Sequence, residues 1–185
     1  FINIIREKQS PLLHQWYALS KDLGISGFRI GSVYTLNKPF LNAFNNFSLP
    51  HLVSNHTQWI MGNILSDITF MESFLYRQRL MLTTSYNLVS QKLDELNIAY
   101  VRPKGSMFIW ADFSRFMDDN GEGDELRFWK QLYDATGIIF TPAEGFGHSG
   151  RGMLRIVFSC LLHSELKIAM QRLVNYLLPL SKKLT

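Results

Sequence analysis

Lys21 and Arg29, eight residues apart, have the surroundings in this 185-residue sequence that best suit covalent chemistry. They lie in Ser20-Lys21-Asp22-Leu23-Gly24-Ile25-Ser26-Gly27-Phe28-Arg29-Ile30-Gly31, with Trp16, Tyr17 and Leu19 as an apolar approach. Partial burial of such a lysine favours the neutral amine, and a neutral amine can attack a carbonyl to form a Schiff base. Arg29, between Gly27 and Gly31, can bring a planar fork to a phosphate where glycines let the backbone come close. The same residues also fit a solvated loop lysine and a surface arginine, since both types are mostly exposed.

Arg155 is the second candidate. In Met153-Leu154-Arg155-Ile156-Val157-Phe158-Ser159, strand alternation puts Leu154, Ile156 and Phe158 on one face and Arg155 on the other. If that other face lines a cleft, a bidentate bond to a substrate carboxylate is the natural use of the guanidinium. If it faces solvent, Arg155 is an ordinary sheet-surface arginine. One cysteine, Cys160, excludes an internal disulfide and any CxxC site, and a reducing cytoplasm is the simplest compartment. His14, His51, His56, His148 and His163 show no metal-ligand spacing, so no metal is expected.

Elements that position these residues follow from the apolar pattern. A strand is predicted over 28–35, and Pro39 suits the first turn of a helix reaching about Phe47. Pro50 opens a second helical stretch to about Leu65, and Asp67 is placed to cap a third. Ile68, Met71, Leu75, Leu82, Tyr86, Val89, Leu93 and Leu96 then mark one face of a long helix ending near Asn97. Strands are expected at 98–101, 107–112, 138–141 and 153–159, with a helix over 124–136 ended by Gly137. Ser164 is expected to cap a final helix with Leu166, Ala169, Met170, Leu173 and Leu177 on one face. Alternating strands and helices give an α/β class, with an α+β arrangement over the last part.

Composition supports a folded chain. Hydrophobic residues make up 46% and charged residues 18%, which suits burial and argues against disorder. The net charge of +4 is spread out, and the Lys182-Lys183 doublet is the basic pair outside mixed segments, so no nucleic-acid stripe is expected. Apolar runs are too short to span a bilayer, and no membrane partner is expected. The first residues, Phe1-Ile2-Asn3-Ile4-Ile5-Arg6, hold no Met and too short an apolar tract for a signal peptide. The chain reads as one entered partway.

Four ordered segments carry a resemblance. The lysine segment, with SKDLG followed by GFRIG, closely resembles that of the fold-type I, class I/II aminotransferases that use pyridoxal phosphate, and looks most like the 1-aminocyclopropane-1-carboxylate (ACC) synthase branch. Gly105-Ser106-Met107-Phe108-Ile109-Trp110-Ala111-Asp112, Thr141-Pro142-Ala143-Glu144-Gly145-Phe146-Gly147 and Leu154-Arg155-Ile156-Val157-Phe158-Ser159 follow in family order. The resemblance covers essentially the whole chain, matched to the C-terminal half of the family's.

By that resemblance Lys21 forms the Schiff base with pyridoxal 5'-phosphate and later moves the α-proton. Ser20 is a cofactor neighbour, Arg29 binds the phosphate and Arg155 the substrate α-carboxylate. The family's phosphate-binding serine three residues before the lysine is Ala18 here, and the missing charge-assisted bond is worth about 1.5–3 kcal/mol. Resemblance implies the end of a large cofactor domain over 1–66, a long interdomain helix over 67–97 and a C-terminal small domain over 98–185. It also implies an amino-acid substrate and a homodimer in the intact protein. The family residues that tune the cofactor ring belong to the N-terminal half, so little turnover is expected from these 185 residues alone. A non-catalytic interaction or dimerisation module that keeps the small domain is the alternative.

Overall fold

A computed structural model describes residues 2–117 and 124–181, so the Lys182-Lys183 doublet lies outside the described residues. The chain divides into two compact units, 1–76 and 77–185. Within the first unit, α1 (Ile2–Lys8) precedes β1 (His14–Ala18), the single-turn helix α2 (Leu19–Asp22) and β2 (Gly31–Thr35). Then come α3 (Lys38–Ser48) and α4 (Asn55–Ser66). α5 (Ile68–Glu95) begins in the first unit and ends in the second. The second unit continues with β3 (Tyr100–Val101), β4 (Phe108–Asp112), α6 (Asp124–Thr136), β5 (Thr141–Pro142), β6 (Met153–Val157) and α7 (His163–Ser181).

In the first unit β1 and β2 pair antiparallel, from His14 opposite Thr35 to Ala18 opposite Gly31. Short polar side chains set the helix starts that follow. Asn37 accepts from the Phe40 amide at 2.9 Å, Ser54 from the Thr57 amide at 3.2 Å, and Asp67 from the Phe70 amide at 2.9 Å. The expected helix from Pro50 therefore starts later. Pro50 sits in a 3-10 turn, Leu49–His51, the chain then extends at Leu52, and Ser54 starts α4. Buried apolar side chains are few here: Ile5, Leu19 and Met61.

The second unit holds the hydrophobic core. Its four antiparallel strands run in the order β3-β4-β6-β5, with Ile109 opposite Ile156 and Ala111 opposite Leu154. Those four residues are buried in one cluster with Val89 and Leu93 of α5, Phe128 and Leu132 of α6, and Leu166, Met170, Leu173 and Leu177 of α7. Each large side chain so buried is worth roughly 1.5–3 kcal/mol. Only the C-terminal part of the periodic α5 face is used in this cluster, since Ile68 is 63% exposed and Val89 and Leu93 are fully buried. At the end of α5, Asn97 takes a left-handed φ of 52° and the Ile98 amide reaches back to the Leu93 carbonyl at 2.9 Å.

All five predicted strands are shorter than the sequence implies, β4 by one residue and β6 by two. The one expected at 28–35 begins at Gly31, because Ser26–Phe28 form a 3-10 turn and Arg29 follows in the left-handed region at φ 51°. The one expected at 138–141 is reduced to Thr141–Pro142, because side chains take the backbone groups a ladder would use. Ile138 donates its amide to Thr136 Oγ1 at 3.1 Å, and Trp129 Nε1 donates to the Phe140 carbonyl at 2.7 Å. β3 is confined to Tyr100–Val101. The last helix starts at His163, not after a Ser164 cap. Glu165 Oε2 accepts from the Leu162 amide at 3.0 Å, and Ser164 stands exposed in the first turn.

Candidate active site

Lys21 and Arg29 lie on one connection. Residues 19–30 join β1 to β2, closed at the base by the Ala18–Gly31 pair and by the Leu19 amide on the Ile30 carbonyl at 3.3 Å. The strands approach closely at that closure: a Cβ on Gly31 would stand 3.1 Å from the Tyr17 carbonyl oxygen, so a larger residue there requires the backbone to give by a few tenths of an ångström. Leu19 is buried and anchors the start of α2, Ser20 is half-buried, and Lys21 projects from its second half, exposed. The partial burial anticipated for Lys21 is not found: Lys21, Trp16 and Tyr17 are all exposed.

Two contacts around this connection are absent from any sequence pattern. Tyr17 donates its phenol to Asp22 Oδ2. That hydrogen bond to a carboxylate, with burial and the negative charge adding to it, raises the Tyr17 pKa above the ordinary tyrosine value. Arg29 folds back on its own turn, with Nη1 donating to the Ser26 carbonyl at 3.1 Å and lying 3.5 Å from Ser26 Oγ. Beside it opens a cavity of about 540 Å³, with Ala18, Arg29, Ser32 and Ser48 in its wall and Trp16 and Phe44 among its aromatic residues.

Arg155 belongs to the second unit. It stands on β6 between Trp110 of β4 and Thr141 of β5, on the face opposite the buried Leu154 and Ile156, as alternation predicts. The guanidinium carbon lies 4.7 Å from the Phe108 ring centroid and 4.6 Å from that of Phe146. Nη2 donates to Thr141 Oγ1 at 3.3 Å, and Nε is buried with no hydrogen-bond partner among the described residues. Phe146 extends the aromatic patch to Trp110 at 5.7 Å, and Trp110 to His148 at 5.8 Å. Arg155 is thus neither a plain surface arginine nor a buried one: it is half-covered by rings.

Lys21 and Arg29 thus share one short connection of an antiparallel strand pair, in a chain of mixed helix and sheet whose second unit carries a four-stranded antiparallel sheet. Residues 2–173 match the family described as aminotransferase class I and II, and the chain belongs to that family. An ACC synthase of Glycine max is 28% identical over 167 residues, covering 90% of this chain and 34% of that protein. ACC synthase 1 of Oryza sativa subsp. indica is 29% identical over the same span and coverage. The chain therefore spans about a third of the length of the curated relatives it matches.

Solved structures agree on the fold. An aromatic aminotransferase from Pyrococcus horikoshii superposes with a TM-score of 0.77 at 19% identity, over 93% of this chain and 44% of that one. An α-aminoadipate aminotransferase from Thermus thermophilus, solved with N-(5'-phosphopyridoxyl)-L-leucine, gives 0.78 at 19% identity over 98% and 46%. The fold is that of part of an aminotransferase, with the mixed helix and sheet expected of it.

Proposed function

We propose that this chain is the lysine-bearing and carboxylate-binding part of a pyridoxal-phosphate-dependent enzyme that acts on an amino acid. The observation that carries this is the shared connection of Lys21 and Arg29, closed by the β1–β2 pair, in a chain of the aminotransferase class I and II family. The donor set suits the cofactor's phosphate end. Arg29 brings a permanent cation to a cavity wall that also holds the Ser32 and Ser48 hydroxyls, while Ala18 offers none. Pyridoxal phosphate, when bound, supplies an electron sink for charge developing at the substrate Cα.

In this reading the Lys21 amine is the nucleophile that carries the cofactor. Released from it, the same amine is the base that moves the α-proton. Ser20 lies beside it, and Arg155 holds the substrate α-carboxylate and so fixes which bond at Cα is presented for cleavage. Proton removal is common to transamination and to elimination of the kind that the ACC synthase names imply. Residues 1–66 then form the end of the large domain, 67–97 the interdomain helix and 98–185 the small domain, in a cytoplasmic homodimer. Turnover by the 185 residues alone is expected to be low, because they span only a third of the relatives' length.

One feature favours the second reading, a non-catalytic module: the whole hydrophobic cluster lies within 77–185, so that unit packs by itself. Titration of the chain with pyridoxal phosphate, borohydride reduction and peptide mapping separates the two. Saturable label at Lys21, lost in Lys21→Ala, supports the enzyme reading. Label scattered over surface lysines supports the module.

A further inference from the structure

We propose that Phe108, Phe146 and Thr141 are positioning residues that hold the Arg155 guanidinium in one plane for a substrate carboxylate, an inference that rests on Arg155 being the carboxylate receptor. Long arginine side chains carry about 2 kcal/mol of rotamer entropy, which an exposed arginine gives up when it binds. Arg155 has given it up in advance. Two rings lie within 4.7 Å of its guanidinium carbon, and Thr141, its register partner on β5, accepts from Nη2. The buried Nε has no hydrogen-bond partner among the described residues. The burial of Nε shows that the side chain is packed along its length and not extended into water.

The two rings come from different places. Phe108 is a strand residue sharing the Arg155 face, as the Phe108–Val157 and Trp110–Arg155 pairs require. Phe146 comes from the 3-10 turn Ala143–Phe146 and is 49% exposed. It can be changed with little effect on the core, which makes it the cleaner probe.

The test uses the ¹⁵N-labelled 185-residue chain, with the Arg155 Nε–H resonance identified by its loss in Arg155→Lys. L-alanine is titrated in, with L-alaninamide, which lacks the carboxylate, as comparison. The expected result is a saturable shift with L-alanine only. It should weaken about 2- to 5-fold in Phe146→Leu, the loss of one exposed cation–π contact, and recover in Phe146→Tyr. Thr141→Val, which removes the hydrogen bond while keeping the branched shape, should weaken it as well. An unchanged titration in Phe146→Leu, Phe108→Leu and Thr141→Val overturns the positioning role and leaves Arg155 as receptor. No saturable shift in the unaltered chain overturns the receptor reading and this inference with it.

Discussion

The phenol of Tyr17, at the end of β1, donates to the carboxylate of Asp22, the residue next to Lys21. One strand end is thereby tied across the first turn of the lysine connection to the far end of α2. The tie exists only while the phenol keeps its proton. Its pKa stands above the ordinary value, so the folded chain holds that proton more tightly than the unfolded chain does. The stability it contributes is present below the unfolded value of about 10 and is lost as pH rises through the folded value. Tyr100 and Tyr176 are raised as well, so difference spectrophotometric titration should show one fewer late-ionising phenol in Tyr17→Phe, and one moved back toward the ordinary range in Asp22→Asn.

Arg29 is expected to set the non-covalent part of cofactor affinity more than any other residue of the connection. It is a permanent cation at the wall of the cavity, where Ala18 supplies no hydroxyl. Arg29→Ala should weaken pyridoxal phosphate binding about 10- to 100-fold, the loss of one or two charge-assisted bonds, by absorbance titration. Arg29→Lys keeps the charge but not the fork and should fall between.

Gly152 is fixed by its neighbour. Its φ is 89°, its carbonyl accepts from the Phe113 amide at 2.8 Å, and a Cβ would stand 2.6 Å from Ser114 Cα. Gly152→Ala should destabilise the second unit by about 2–4 kcal/mol, combining backbone strain with overpacking. Urea unfolding measures it. Gly145→Ala, where nothing lies within 4 Å, is the comparison and should change stability by no more than about 0.5 kcal/mol.

The two units are expected to differ in protection. Buried apolar residues of the first are Ile5, Leu19 and Met61, while Trp59 is 69% and Phe47 83% exposed. Hydrogen exchange should therefore be faster for amides of β1, β2 and α4 than for those of β6 and α7, because the former open at lower free energy. Apolar surface of this kind also favours self-association, so sedimentation should show a concentration dependence that Phe47→Ser and Trp59→Ser reduce.

Much of the second unit was legible in the sequence. The C-terminal part of the α5 spacing and the α7 face through Leu166, Met170, Leu173 and Leu177 mark burial directly. The α6 face read through Leu126, Trp129, Leu132 and Tyr133 is instead buried only at Leu132 and misses the buried Phe128, with Leu126 65% and Tyr133 42% exposed. Alternation placed Arg155 opposite Leu154 and Ile156, which is where it stands. Strand lengths at 28–35 and 138–141 were not legible. A ladder is completed only if no nearer donor or acceptor takes the backbone groups, and Thr136 and Trp129 take those of Ile138 and Phe140.

What the sequence alone determined is the inventory: an amine and two arginines of suitable type, in four ordered segments that resemble the family to which the chain belongs. Tertiary structure decided their surroundings. Lys21 stands exposed, Tyr17 reaches Asp22 across a turn, and Arg155 meets Phe108, Phe146 and Thr141. Periodicity reports which side of an element is buried, because burial repeats with the helix or strand. It carries no record of which two side chains from separate elements meet, since that depends on how the chain closes between them.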